Sequence, residues 1–462
     1  MTDKQRKPSE KNIFIYFAAL TASLASFAMG MSFAWASPFI PKFQSDDPVM
    51  NPIGRPTSQL ESTWIVSAFN VGMIFGPLVT MIGLRCFTKK TMLIVAITFK
   101  TTSNVMCLFA SEVYIFIIAR VLMGIGTGCI YSLLNPFIGE ISEDSIRGSL
   151  GLLPGTTTVL GNLFTFVVGP LMSLKWFSLV SLIPLLIFYV CFGLFVPDTP
   201  YDLVMHQKPQ QAAISLRKLR QRDDVETEML NIISTIESRM SKKVYFTDVF
   251  RDYNSRKALA LCISLMVIQQ LSGITAILSY AEVIFNQTAR LIPSSLSAAT
   301  LSLGGLLGNL CSVFLVDRLG RKILLTASSI SLCTCLISIG TYFYLYVNQH
   351  DVSSINWLPT ISLMLFMTSY NIGMSNIPWL FIGEVFHSKV KPVAATMVTL
   401  SNCVSAFIVC LCFPYMLAHI GMAYTYWVFA CVMLLGVLYS SLVLPETKCK
   451  SFQEIQKMLG RS

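Results

Sequence analysis

Residues 13–40 read IFIYFAALTASLASFAMGMSFAWASPFI, an apolar stretch without a single charged residue. A bilayer core of roughly 30 Å is crossed by about 20 apolar residues in a helix. This stretch is long enough, and lipid offers no partner to an unpaired backbone group, so it has to be helical. The lead before it, Met1–Lys11, is polar and basic. The apolar run exceeds the about 7–15 residues of a cleaved leader's core, which predicts a retained first span.

Working outward, the pattern recurs along the chain. Apolar stretches predict twelve spans, at 13–40, 59–83, 91–110, 113–138, 150–174, 176–196, 258–285, 293–316, 323–347, 357–383, 393–418 and 422–444. Only Ser111 and Glu112 separate the third from the fourth. Charged residues are 13% of the chain and hydrophobic residues 54%. A soluble domain carries about 25% charged residues, so one large water-facing protein is excluded. The fold class expected is all-α membrane, with twelve transmembrane helices in two pseudo-symmetric six-helix bundles. The expected layout is a tail at 1–12, one half at 13–196, a linker at 197–257, a second half at 258–444 and a tail at 445–462.

Lys and Arg set the orientation. One side collects Lys4, Arg6, Lys7 and Lys11, then Arg85, Lys89 and Lys90, then Arg147, then Arg318, Arg321 and Lys322, then Lys389 and Lys391, then the basic tail. The other has only Lys42, Arg55, Lys175 and Arg290. Both termini are therefore expected in the cytoplasm. This topology accounts for the net charge of +10 without a nucleic-acid partner. The sequon Asn286-Gln287-Thr288 then falls outside, where glycosylation of Asn286 is expected. In the polar segment Pro197–Lys257, Leu216, Leu219, Val225, Met229, Ile232, Ile233 and Ile236 have the spacing of short amphipathic helices, with a solvated linker as the alternative.

Most of the thirteen cysteines lie inside apolar runs, as Cys107, Cys129, Cys262 and Cys410 do, without metal-ligand spacing. Free Cys there acts as a small hydrophobe. No metal, cofactor or catalytic constellation is expected, and hence no enzyme.

A repeat runs at half-length. Arg85 to Lys90 follows the second span, and Asp317-Arg318-Leu319-Gly320-Arg321-Lys322 follows the eighth. Glu140 has Arg147 seven residues on, and Glu384 has Lys391 seven residues on. Pro197-Asp198-Thr199-Pro200 closes the sixth span, and Pro445-Glu446-Thr447-Lys448 the twelfth. Three matches in the same order place acidic and basic groups at the cytoplasmic helix ends, where they can pair with each other and with helix dipoles. Such a cluster can latch one conformation of the two halves.

With Arg120…Glu140…Arg147-Gly148, Gln269-Gln270-Leu271-Ser272-Gly273-Ile274, Ile377-Pro378-Trp379 and Asn402, these motifs carry a resemblance. The chain resembles the sugar porter family of the major facilitator superfamily, which includes the facilitative glucose transporters, over nearly its whole length. Ala34-Trp35-Ala36-Ser37-Pro38 is similar in style to insect sugar facilitators, the facilitated trehalose transporters among them. The resemblance implies the major facilitator fold and a sugar site between the halves. It assigns Gln269, Gln270, Thr275, Tyr280, Asn371, Trp379 and Asn402 to the substrate. It assigns Arg120, Glu140, Arg147, Asp317, Arg318, Arg321, Glu384 and Lys391 to the cytoplasmic latch. Amides suit sugar hydroxyls because each offers donors and an acceptor; the alternative role for two glutamines in a span is interhelical glue.

The chain departs from the family pattern at the site. Gly155 stands for a glutamine, Thr275 for an asparagine, Asn371 for an acid and Cys403 for a tryptophan. The asparagine of span eight is Gly305, with Asn309 one turn on. Arg85, Thr88, Tyr201 and Lys391 depart in the latch, which predicts a weakened lock in the first half. Most substrate recognition is therefore expected from the second half. Charge inside a span is expensive. Span one has no Asp or Glu, where proton-coupled relatives carry one, so passive uniport is favoured over proton symport. The expected function is facilitative transport of hexose or trehalose by a plasma-membrane monomer. A non-transporting sugar sensor and a polyol carrier are the alternatives. Lys100, within span three, has no role in this reading beyond snorkelling or a shifted boundary.

Overall fold

A computed structural model describes residues 13–47, 50–143, 146–240, 248–287, 294–386, 390–448, 450 and 452–460. Lys4, Arg6, Lys7, Lys11, Thr288, Arg290 and Lys389 lie outside the described residues, as does the side chain of Asp317.

Among the described residues, ten helices are long and apolar enough to cross a membrane: Ile13–Phe43, Gln59–Gly83, Lys89–Phe109, Val113–Ile141, Arg147–Leu171, Leu174–Phe195, Tyr253–Ser279, Arg321–Val347, Val393–His419 and Gly421–Val443. Ser294–Leu319 supplies span eight, and Leu358–Ser369 with Ile377–Val385 supplies span ten. Span ten falls outside the ten because it is broken. Its middle, Tyr370–Met374, is π-helical, and Ser375 N donates to Tyr370 O at 2.7 Å. Span seven breaks too, at Gly273 with φ of 84°. A Cβ there would lie 2.6 Å from the Phe429 ring, so only glycine fits.

Small residues let the spans approach. A Cβ on Gly124 would lie 2.0 Å from the Phe69 carbonyl oxygen, joining spans two and four. Spans eight and ten repeat this, with a Cβ on Gly308 at 2.2 Å from the Thr368 carbonyl oxygen. Without a hydrophobic drive between helices in lipid, such backbone proximity supplies the packing contacts. The halves meet along spans two and eleven and along spans five and eight. At the end opposite the termini they are also hydrogen-bonded. Gln59 Nε2 donates to Pro414 O at 3.0 Å, and Glu282 N donates to Ser37 Oγ at 2.9 Å.

Between the halves run helices Pro200–Met205, Pro209–Arg220 and Glu226–Met240. Their apolar faces bury Leu203, Leu216, Val225, Met229, Ile232 and Ile236 together. Leu219 turns instead into the first-half bundle. Arg220 ties the layer to span four through Ile141 O at 2.7 Å and pairs with Glu228 at 2.8 Å.

Candidate functional site

The broken spans seven and ten bring four of the expected substrate residues into one chain of hydrogen bonds. Pro378 has no N–H to offer the carbonyl four residues earlier. That carbonyl belongs to Met374, and Gln269 Nε2 donates to it at 2.8 Å, and to Ser375 O at 3.3 Å. Asn402 of span eleven donates to Gln269 Oε1 at 2.8 Å. Gln270 Nε2 donates to Asn402 Oδ1 at 3.0 Å. Thr275, just past the Gly273 break, donates to Gln270 Oε1. Gln269, Gln270 and Asn402 are all buried. A buried amide left unpaired costs about 1–3 kcal/mol, so this chain satisfies groups that would otherwise oppose folding. It is also exchangeable: a hydroxyl can take either side of each amide pair.

The other three expected residues lie apart from that chain. Asn371, in the π-helical turn, donates to Met367 O at 2.9 Å, and its carbonyl accepts from Asn376 at 3.0 Å. Trp379 sets its ring edge-on against Tyr131 of the first half, with centroids 5.0 Å apart. Tyr280 is buried, and its ring lies 5.4 Å from Phe413. The glycine substitutions also have a visible partner. A Cβ on Gly155 would lie 3.0 Å from Asn309 Nδ2, so Asn309 of the second half occupies space beside the first. Asn376 and Asn309 extend the polar surface, joined at 3.5 Å. Asn376 gave no signal in sequence because it lies just outside the Ile377-Pro378-Trp379 motif.

At the termini end, each half has a charged cluster. In the first, Lys89 Nζ meets Glu140 Oε1 at 2.9 Å and also reaches Asp202. Thr199 donates to Glu140 Oε2 at 2.8 Å. Asp202 Oδ2 accepts from Lys89 N at 2.7 Å, a carboxylate at a helix N-terminus. Thr88 donates to Asp198. In the second half, Arg321 Nη2 meets Glu384 Oε1 at 3.0 Å. Glu446 accepts from Arg321 N at 3.1 Å and Lys322 N at 3.0 Å. Lys448 Nζ donates to Arg318 O at 2.7 Å. Arg147 Nε donates to Gly139 O at 3.2 Å, and Lys391 Nζ to Gly383 O at 3.0 Å. The repeated spacing thus returns each basic side chain to the carbonyl preceding its glutamate.

Residues 18–459 match the family model described as "Sugar (and other) transporter". The chain belongs to the sugar transporter family. Among curated relatives, "Facilitated trehalose transporter Tret1" of Bombyx mori is 32% identical over 98% of this chain and 89% of that protein. The Polypedilum vanderplanki protein of the same name is 30% identical over 98% of this chain and 90% of that one. Among solved structures, the inward-open xylose transporter XylE from E. coli superposes with a TM-score of 0.80 at 20% identity, covering 96% of this chain and 99% of that one. The likeness in structure is one of fold, the major facilitator arrangement of twelve helices.

One sequence expectation for this sugar transporter family member needs correcting. Arg120 does not belong to the cytoplasmic latch. It lies seven residues into span four from the end opposite the termini, and it is buried between Trp35 and Phe69, its guanidinium 4.9 and 4.6 Å from their ring centroids. Its Nη1 donates to Ser32 O at 3.2 Å. At about 1.5 Å of rise per residue, the intervening turns of span four hold it far from Glu140. The departures in the first half leave a charged cluster in place at the termini end. Thr88 caps span three by accepting from Thr91 N, and Lys89 sits between two carboxylates with its side chain only 12% exposed. Asp202 was missed. Its signal was the Thr199-x-x-Asp202 spacing of a capped helix start, in which Thr199 Oγ1 accepts from Asp202 N at 3.1 Å.

Proposed function

We propose that this chain is a facilitative uniporter that carries a sugar, hexose or trehalose, across the plasma membrane by alternating access. It acts as a monomer with both termini in the cytoplasm, and without cofactor or catalysis. The observation that carries this reading is the amide chain from Met374 through Gln269, Asn402 and Gln270 to Thr275. It joins the two broken spans of the second half to span eleven, and discontinuous helices are where carriers place their sites. A sugar's hydroxyls exchange with the bonds among these amides, so entry of substrate leaves no buried polar group unpaired. Trp379, Asn371, Asn309 and Asn376 border the same region, and Tyr280 lies toward the end where Gln59 and Ser37 join the halves. The clusters around Glu140 and Glu384 hold the cytoplasmic helix ends together, and their rearrangement accompanies opening. Asn286, exposed at the opposite end, carries the glycan.

Uniport rests on the lack of any Asp or Glu in span one, together with the name of the trehalose relatives. Uptake of labelled glucose, fructose and trehalose into a transport-null host, with and without a proton uncoupler, tests it. Saturable uptake that survives the uncoupler is expected. Uptake abolished by the uncoupler indicates symport. The sensor reading keeps one supporting observation: Asn309 fills the space beside Gly155, where the family pattern has a hydroxyl-reading glutamine. Surface-expressed protein without uptake of any sugar would favour it.

A further inference from the structure

Lys100 and Arg120 place two basic side chains inside the first half, each no more than 2% exposed. No described carboxylate acts on either. Both converge on one residue of span one: Lys100 Nζ donates to Ser32 Oγ, and Arg120 Nη1 donates to the Ser32 carbonyl. The second acceptor of Lys100 is Thr127 Oγ1, at 3.0 Å. An ammonium has three donors, so one remains beyond these two described acceptors. Beside it lies a cavity of about 10 Å³ lined by Ser32, Trp35, Lys100, Asn104, Met123 and Ser181. That volume is at the threshold for one water-sized occupant. Trp35 Nε1 and Ser181 Oγ, both on residues 1% exposed, have no hydrogen-bond partner among the described residues. Lys100 and Trp35 can only donate here, the hydroxyls of Ser32 and Ser181 and the amide of Asn104 can donate or accept, and Ala28, Met31 and Phe177 complete an otherwise apolar wall. Met123 forms part of the wall, and a thioether side chain yields to an occupant larger than water.

A buried charge left without a counter-charge is strongly unfavourable. Water would pair with the orphan donors but leave both charges uncompensated. We propose that this cavity is a site for a single small anion, chloride in a cell, which serves as the internal counter-ion of Lys100 and Arg120. The anion accepts from Lys100, Trp35 and Ser181, and its charge offsets that of the neighbouring guanidinium. It binds spans one, three, four and six into one unit and stays with the first half through the transport cycle.

The test uses full-length protein purified in detergent and reads thermal unfolding, so it does not depend on which solute is carried. Sodium chloride is titrated against sodium gluconate at fixed ionic strength, with bromide as a second probe. The melting temperature is expected to rise saturably with chloride or bromide. Lys100→Met is expected to melt at one temperature in both salts. Ser181→Ala, which removes a small hydroxyl without altering the charge, is expected to raise the half-saturating chloride concentration by about tenfold, the equivalent of one lost hydrogen bond. This second variant decides the matter if Lys100→Met fails to fold. Equal melting temperatures of the parent protein in chloride and gluconate overturn the proposal. So does a chloride response unchanged in Ser181→Ala or Lys100→Met, because bulk salt effects do not depend on these side chains.

Discussion

Gln269 donates to the carbonyl of Met374 at 2.8 Å, the carbonyl left without a helical donor by Pro378. A side chain of span seven thus completes the backbone of span ten. The same side chain accepts from Asn402, so one residue joins spans seven, ten and eleven. Gln269→Ala strands the Met374 carbonyl and one Asn402 N–H. At about 1–3 kcal/mol for each stranded group, the variant should melt well below the parent protein as well as lose uptake. A melt unchanged from the parent's would mean that the bond contributes nothing.

Gln270 has a lighter structural duty, since among the described residues it bonds only the side chains of Asn402 and Thr275. Gln270→Ala should therefore abolish uptake while leaving surface abundance near the parent level. Surface biotinylation measured alongside uptake separates the two effects. Undiminished uptake removes Gln270 from the site.

Gly155 and Asn309 face each other across the halves. Gly155→Leu should reduce transport by crowding the asparagine, and Asn309→Ala in the same chain should restore part of it. Contacting residues couple by about 0.5–3 kcal/mol. Purely additive effects on uptake in the four-member cycle would show that the two do not touch.

Lys89 is held between Glu140 and Asp202. Lys89→Met leaves two carboxylates facing each other with no cation between them. Breaking a buried pair from one side costs about 3–5 kcal/mol, so this variant should melt far below the parent. Arg147→Ala removes a bond on a more exposed side chain and should cost much less. The order of the two melting temperatures is the check.

Glu446 gives a pH signature. Burial pushes its carboxyl up, but hydrogen bonds from the backbone of Lys448, Lys322 and Arg321 prevail and hold it below the usual value. A carboxyl depressed in the folded state adds stability that is complete above its unfolded value of about 4.3 and fades as the pH falls below that. Glu446→Gln should therefore melt below the parent at neutral pH and converge with it in acid. A constant gap across this range would contradict the bond pattern.

Twelve helices were legible because apolar runs of span length are an unambiguous signal in lipid. The break in span ten was half legible: Pro378 marks it, but the π-helical turn at Tyr370–Met374 depends on packing against span eight. The amide pair was legible as a motif, whereas its bond to a main-chain carbonyl was not, since no pattern in sequence reports a vacant acceptor on another helix. Lys100 was the plainest failure. Its partners Ser32 and Thr127 come from two other spans, and neither carries the charge by which a partner is usually recognised. Arg120 was misplaced because its motif neighbours lie far from it: Glu140 is at the other end of the same helix and Arg147 at the start of span five.

The central claim is tested most directly by purified protein in liposomes with equal pH on both sides. Labelled trehalose and glucose are offered outside, with the same unlabelled sugar inside or absent. The account predicts saturable entry of at least one of them, accelerated by the unlabelled sugar inside and lost in Gln270→Ala. Entry of neither sugar above that into empty liposomes, from protein that is folded by its thermal melt, would contradict it.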